Sequence, residues 1–190
     1  MDNIMEKPRE SRRMHPQKFA LYIAMGSIVM MFAGLTSAYI VRQAQGNWVY
    51  YQLPLTFWIS TAVILASSVT IHLGLKAFKN RAMPRYKTLI TTTLVLGILF
   101  AVLQWVGFQQ LYGNNIRVDG NPSESFLFII AGLHLLHILG GIIALLIVFF
   151  RAFRTRIKVY NATGLEIVAS YWHFVDVLWI YLFVFFLANQ

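Results

Sequence analysis

The sequence holds no cysteine. That excludes disulfides, thiolate metal sites, iron–sulfur clusters and haem attached through paired cysteines. Charge is scarce as well, at 12% of residues, and acids are scarcer still, with seven Asp and Glu among 190 residues. A soluble domain of this size carries roughly a quarter charged residues, so a soluble fold is a poor match. What fills the chain instead is apolar: 58% of residues are hydrophobic and the mean hydropathy is +0.61. The first reading is a polytopic all-α membrane protein.

Residues 1–18 form a polar tail carrying Lys7, Arg9, Arg12, Arg13 and Lys18, and Pro8 and Pro16 argue against a long helix there. The rest, 19–190, reads as one transmembrane domain. Five apolar runs, about 19–41, 53–75, 88–111, 126–150 and 165–187, are each long enough to cross a hydrocarbon core of ~30 Å at ~1.5 Å rise per residue. The first run is too long for the core of a cleavable signal peptide, and no small-residue cleavage site stands out.

The formal net charge of +9 would suggest nucleic acid on a soluble protein. Here its placement decides otherwise. Apart from Arg42 and Arg117, every Lys and Arg lies in the tail, in the stretch Lys76–Lys87, or in the stretch Arg151–Lys158. Five spans put all three on one side, which the positive-inside rule makes cytoplasmic. The N-terminus is then cytoplasmic and the C-terminus periplasmic, and no nucleic-acid partner is expected. Trp48, Tyr50 and Tyr51 before the second run, and Trp172 and Trp179 in the fifth, are partly explained as interface anchors. Small residues such as Gly26, Gly34 and Ala38 would let helices pack closely.

Few ionisable groups lie within the spans: His72, His134, His137, Glu166, His173 and Asp176. An ionised acid in hydrocarbon costs from ~3 kcal/mol upward, so such groups face the bundle and pair. His72 sits near the cytoplasmic end of the second run and reads as a headgroup-level histidine. His134 and His137, at i and i+3, project from one helix face. Glu166, His173 and Asp176, at i, i+7 and i+10, fall within about an 80° arc at ~100° per residue. They form one polar stripe from the cytoplasmic end to mid-membrane. Depth permits Asp176 to pair with His137 or His134. A structural pair is the preferred reading and a proton relay the sharper alternative. Metal ligands must converge from several helices, and five histidines including His15 in the tail do not supply a redox centre; no metal site is expected in this chain.

These residues carry a resemblance. YWHFVDVLW (Tyr171–Trp179) resembles the signature of subunit III of haem–copper terminal oxidases, as does GLHLLHILGG (Gly132–Gly141), and Glu166 stands at the family's spacing before YWHFVD. LPLTFWISTAVILASSVTIH (Leu53–His72), LGILFAVLQ (Leu96–Gln104) and MFAG (Met31–Gly34) are similar to further helices of the family. The likeness covers all five spans. Two features differ. The long form of the family has seven helices, and the orientation derived above fits loss of the first two. Many members carry a membrane glutamate where this chain has Ile28, and another acid where it has Gly107, so no reactive carboxylate is assigned at either place.

The resemblance implies an accessory role. Subunit I would hold the haems and copper, reduce oxygen to water and pump protons. This chain would pack against it with subunit II, bind phospholipid, support proton uptake and guard the complex during turnover, in a bacterial inner membrane. A small additional helical subunit or a larger respiratory supercomplex would be a further partner. The residues carried over as structural or proton-relay candidates are His134, His137, Glu166, His173 and Asp176. Arg154, Arg156 and Lys158 are candidates for lipid phosphate, although a plain positive-inside loop is the preferred explanation. The alternatives are an accessory subunit of a nitric oxide reductase or quinol oxidase, a haem-b carrier using His134 or His137 with His173, and a proton-coupled transporter built on the Glu166 stripe.

Overall fold

The computed structural model describes residues 16–46, 48, 52–113, 121–154 and 162–189. Among them are five α-helices and no strand: α1 (Pro16–Gln43), α2 (Leu55–Lys79), α3 (Met83–Gly113), α4 (Pro122–Arg154) and α5 (Thr163–Ala188). All five are long and apolar enough to cross a membrane. The helices overrun most of the ends expected from hydropathy, because polar residues at a membrane surface continue a helix without breaking it. Pro16 does not exclude a helix. It opens α1, where its missing N–H is one of the unpaired donors of a first turn anyway. The start of α3 moves back to Met83 because Tyr86 is buried there, 5.0 Å ring to ring from Phe78 of α2.

The α2–α3 connection is tight. Ala82 N–H donates to Ala77 O and Arg81 N–H to Phe78 O, both at 3.0 Å. That is a Schellman closure with Arg81, at φ 57°, in the left-handed position usually given to glycine. The hairpin sets α2 and α3 side by side along most of their length.

Helices α2, α3, α4 and α5 close a ring in which each touches the next, and α1 lies outside it against α4 and α5 only. In a bilayer, apolar burial between helices gains little over lipid, so fit and hydrogen bonds hold spans together. Trp172 shows both. A Cβ added at Gly97 of α3 would fall 2.7 Å from its ring, and one at Gly141 of α4 would fall 2.9 Å from it. The indole therefore fills the space two glycines leave, and its Nε1 donates to Ser67 Oγ of α2 at 3.1 Å. One residue joins four helices. Gly107 does the same for Phe57, whose ring lies 2.8 Å from the Cβ position. The small residues expected to do this, Gly26 and Gly34, have nothing within 4 Å, and Ala38 is exposed. They sit on the outer side of α1, so the close approaches are made by other glycines. Trp48 packs on Tyr39 at 4.6 Å; Tyr50 and Tyr51 lie outside the described residues.

Candidate functional site

A polar seam runs where α5 meets α2. The two helices are antiparallel, so residues rising along α5 meet residues descending α2. At the end bearing the basic residues, Glu166 in the first turn of α5 accepts from two lysines. Lys18 Nζ of α1 is 2.6 Å from Oε2, and Lys79 Nζ of α2 is 2.7 Å from Oε1. One carboxylate thus ties three helices. The lysine side chains are 35% and 52% exposed, so each pair is worth ~1 kcal/mol or less.

Two turns further along α5, His173 Nδ1 shares a hydrogen bond of 2.6 Å with Ser68 Oγ of α2. The partner ring of His72, exposed on α2, stands 6.2 Å away centre to centre. The flanking indoles join the same ladder: Trp172 reaches Ser67, and Trp179 Nε1 donates to Thr61 Oγ1 at 3.0 Å. On α2 the hydroxyls Thr61, Ser67 and Ser68 then form one edge, with His72 and Lys79 continuing it. Asp176 follows one turn after His173 on α5; it is 2% exposed, and neither carboxylate oxygen has a hydrogen-bond partner.

The structure does not pair Asp176 with either histidine of α4. His134, 1% exposed, stacks on Trp179 at 5.1 Å, with Phe32 and Phe100 edge-on at 6.3 and 6.4 Å. Both its ring nitrogens lack hydrogen bonds. The aromatic box takes the imidazole as a flat apolar plate. His137 Nδ1 bonds the carbonyl of Leu133 on its own helix at 2.7 Å, and its ring lies 5.7 Å from Phe32 of α1. Spacing along α5 defines a face but not which neighbour receives it, and here the hydroxyl edge of α2 does. Neither partner of the proposed haem-b arrangement faces the other: His173 looks to α2, while His134 and His137 look to α1, α3 and Trp179.

Sequence reasoning missed the partners: Ser68, Ser67, Thr61, Lys18, Lys79 and the contact of His72 with His173. A signal was present in SSVTIH (Ser67–His72), whose hydroxyls are dense for an apolar run. Among the described residues no three His, Asp or Glu come together to hold a metal ion. Arg154 is the last residue of α4, and Arg156 and Lys158 lie outside the described residues.

Comparison with known proteins bears on this seam. The family model for cytochrome c oxidase subunit III matches residues 48–188, which include α2 to α5. A probable cytochrome c oxidase subunit 3 of Nocardia farcinica is 30% identical over 184 residues, 91% of each chain. Cytochrome c oxidase subunit 3 of Corynebacterium diphtheriae is 30% identical over 176 residues, 85% of each. The same-named protein of Pelomedusa subrufa is 30% identical over 134 residues, 70% of this chain but 49% of that one.

Proposed function

The chain belongs to the cytochrome c oxidase subunit III family, and from that premise we propose how it serves the oxidase. It is an accessory subunit of a haem–copper oxidase and part of an oxidoreductase complex in a membrane. Its own task is to pack against the catalytic subunit I and, with subunit II, to keep the assembly intact. It contributes lipid contacts and supports proton uptake by subunit I while holding no redox centre. The membrane is the bacterial cytoplasmic one, with the N-terminus inside, a reading supported by the basic ends of α2, α3 and α4. Haem and copper belong to the partner. Phospholipid is held at the basic end, where Arg154, Arg156 and Lys158 cluster in sequence.

The observation that carries this reading is the α2–α5 seam. The segment that gives the family resemblance, Tyr171–Trp179, turns three polar side chains to α2, Trp172 on Ser67, His173 on Ser68 and Trp179 on Thr61, while the Tyr171 hydroxyl donates to His137 O of α4. Such a seam fixes one helix register. Glu166, His173 and Asp176 are thus structural first, and the outer faces of the bundle are left apolar for lipid and partner subunits.

The test is a mild-detergent pull-down with the tagged full chain. Co-purification of a large haem-bearing membrane subunit with oxidase activity is the expected result. A Soret band that stays with the chain after every partner is stripped away would overturn the accessory reading.

A further inference from the structure

Helix α1 is held unevenly along its length. Its buried residues are Phe32, Thr36 and Tyr39, all in its second half. Phe32 stands edge-on to the rings of His134 and His137, and Tyr39 sits among Trp48, Phe126 and Phe185. From the basic end, the first α1 side chain to pack on the core is Ile28. Among the described residues, nothing from Pro16 to Ser27 belongs to the core or packs on it. About three turns of helix then rest on the bundle through one side-chain bond, Lys18 to Glu166 at 2.6 Å.

That stretch ends at a weak point. Gly26 and Ser27 adjoin, and a Gly–Ser pair is one of the few places where helices bend sharply. A Cβ at Gly26 would meet nothing within 4 Å, so close packing does not account for a glycine there, and glycine inside a helix lowers its stability. Ser27 Oγ donates back to Ile23 O at 3.2 Å, a bond that competes with the helix ladder.

The bundle beside α1 is open toward α2, on which α1 does not pack. On α5, His173 turns to α2 and Tyr181 to α1. Val177 points between them at ~100° per residue, and it is 64% exposed. Glu166 bridges this gap at the basic end, with Lys18 on Oε2 and Lys79 on Oε1. The two lysines are not equivalent. When Lys18 leaves, the carboxylate keeps Lys79, and Lys18, already 35% exposed, returns to water. Release strands no charge, and a stranded charge is what makes an ion pair costly to break.

We propose that Pro16–Met25 is a flap, hinged at Gly26–Ser27 and latched by Glu166, while the half of α1 from Ile28 onward stays fixed. Opening the flap widens the gap between α1 and α2 and uncovers the outer side of α5 from Glu166 to His173. Lys79 is the keeper, holding Glu166 in place whether the flap is shut or lifted. The signal that works the latch is ionic strength at the basic membrane face, because salt screens exposed ion pairs and leaves the aromatic seat of Tyr39 untouched.

The chain has no cysteine, so cysteines introduced at exposed sites place spin labels without ambiguity. One pair, Ile23→Cys with Leu73→Cys, spans the flap and α2; the other, Val41→Cys with Leu55→Cys, spans the fixed half and α2. Pulsed electron-resonance distances are read on the full chain with the partners it retains in mild detergent. The flap pair is expected to give a short and a long distance, and the fixed pair one. Lys18→Gln raises the long-distance share by about fivefold, the most that one exposed ion pair yields. Lys79→Gln lowers it, since lifting the flap would then strand Glu166. Gly26→Ala lowers it by about two- to fivefold. Added salt raises it in the parent chain and leaves Lys18→Gln unchanged. The fixed pair keeps its distance in every variant, which shows the fold intact. A flap pair with one distance that none of these changes alters overturns the proposal. So does a joint shift of both pairs, or a change in the same direction from Lys18→Gln and Lys79→Gln.

Discussion

A buried tryptophan in a membrane bundle has to find both room and a hydrogen-bond acceptor. Trp172 finds room at Gly97 and Gly141 and an acceptor at Ser67. Gly97→Ala therefore forces the indole or the α3 backbone to move, and is expected to destabilise the fold by ~1–3 kcal/mol, the usual range for overpacking. Gly26→Ala is the contrast. Nothing lies within 4 Å of that position, so the change gains helix propensity and stabilises by up to ~1 kcal/mol. Denaturant or thermal unfolding in detergent measures both, and equal effects would contradict the packing described. The sequence alone does not separate these two glycines. Each lies in an apolar run with the same local chemistry. Only the side chain arriving from another helix, more than seventy positions away for Gly97, tells them apart.

At the scale of helices, hydropathy and length were enough to read the number of spans. The i, i+7, i+10 spacing on α5 was enough to place Glu166, His173 and Asp176 on one face. The partner of that face was not legible, because α2, α4 and α1 all offer polar side chains at matching depth. Contact geometry decides, and it selects the hydroxyls of α2. The weakest member is α1, which is anchored at one end by Lys18–Glu166 and towards the other end by Thr36 with Tyr181 at 2.9 Å and Tyr39 with Asn189 O at 3.3 Å. Glu166→Gln removes the first anchor. Its loss of about 1 kcal/mol corresponds to roughly a fivefold rise in local opening. Hydrogen exchange is expected to quicken over the first turns of α1 while the Tyr39 end stays as protected as before. High salt should reproduce part of the effect in the parent chain, since the lysines are partly exposed. Uniform loosening along all of α1 would show that the ion pair is not the anchor.

For the whole molecule, the division of labour with the catalytic subunit sets what a substitution can do. Asp176→Asn keeps the shape of a side chain to which a structural role is proposed above. The initial rate of oxygen consumption by the complex is expected to stay near that of the parent, while the rate decays sooner during sustained turnover. Following oxygen uptake over time distinguishes the two. A complex that assembles fully yet has no initial rate would place Asp176 in the catalytic cycle itself, against the role proposed here.

The position of α1 outside the closed ring has a consequence for synthesis. Its contacts with other helices are with α4 and α5, and α4 is complete only about a hundred residues after α1 has left the ribosome. At roughly 5–20 residues per second, α1 enters the bilayer and waits on the order of ten seconds for its first partner. During that interval α2 and α3 can already zip together through their short turn. α1 thus docks only after the α2–α3 hairpin that follows it in the chain, and assembly order departs from reading order at that helix.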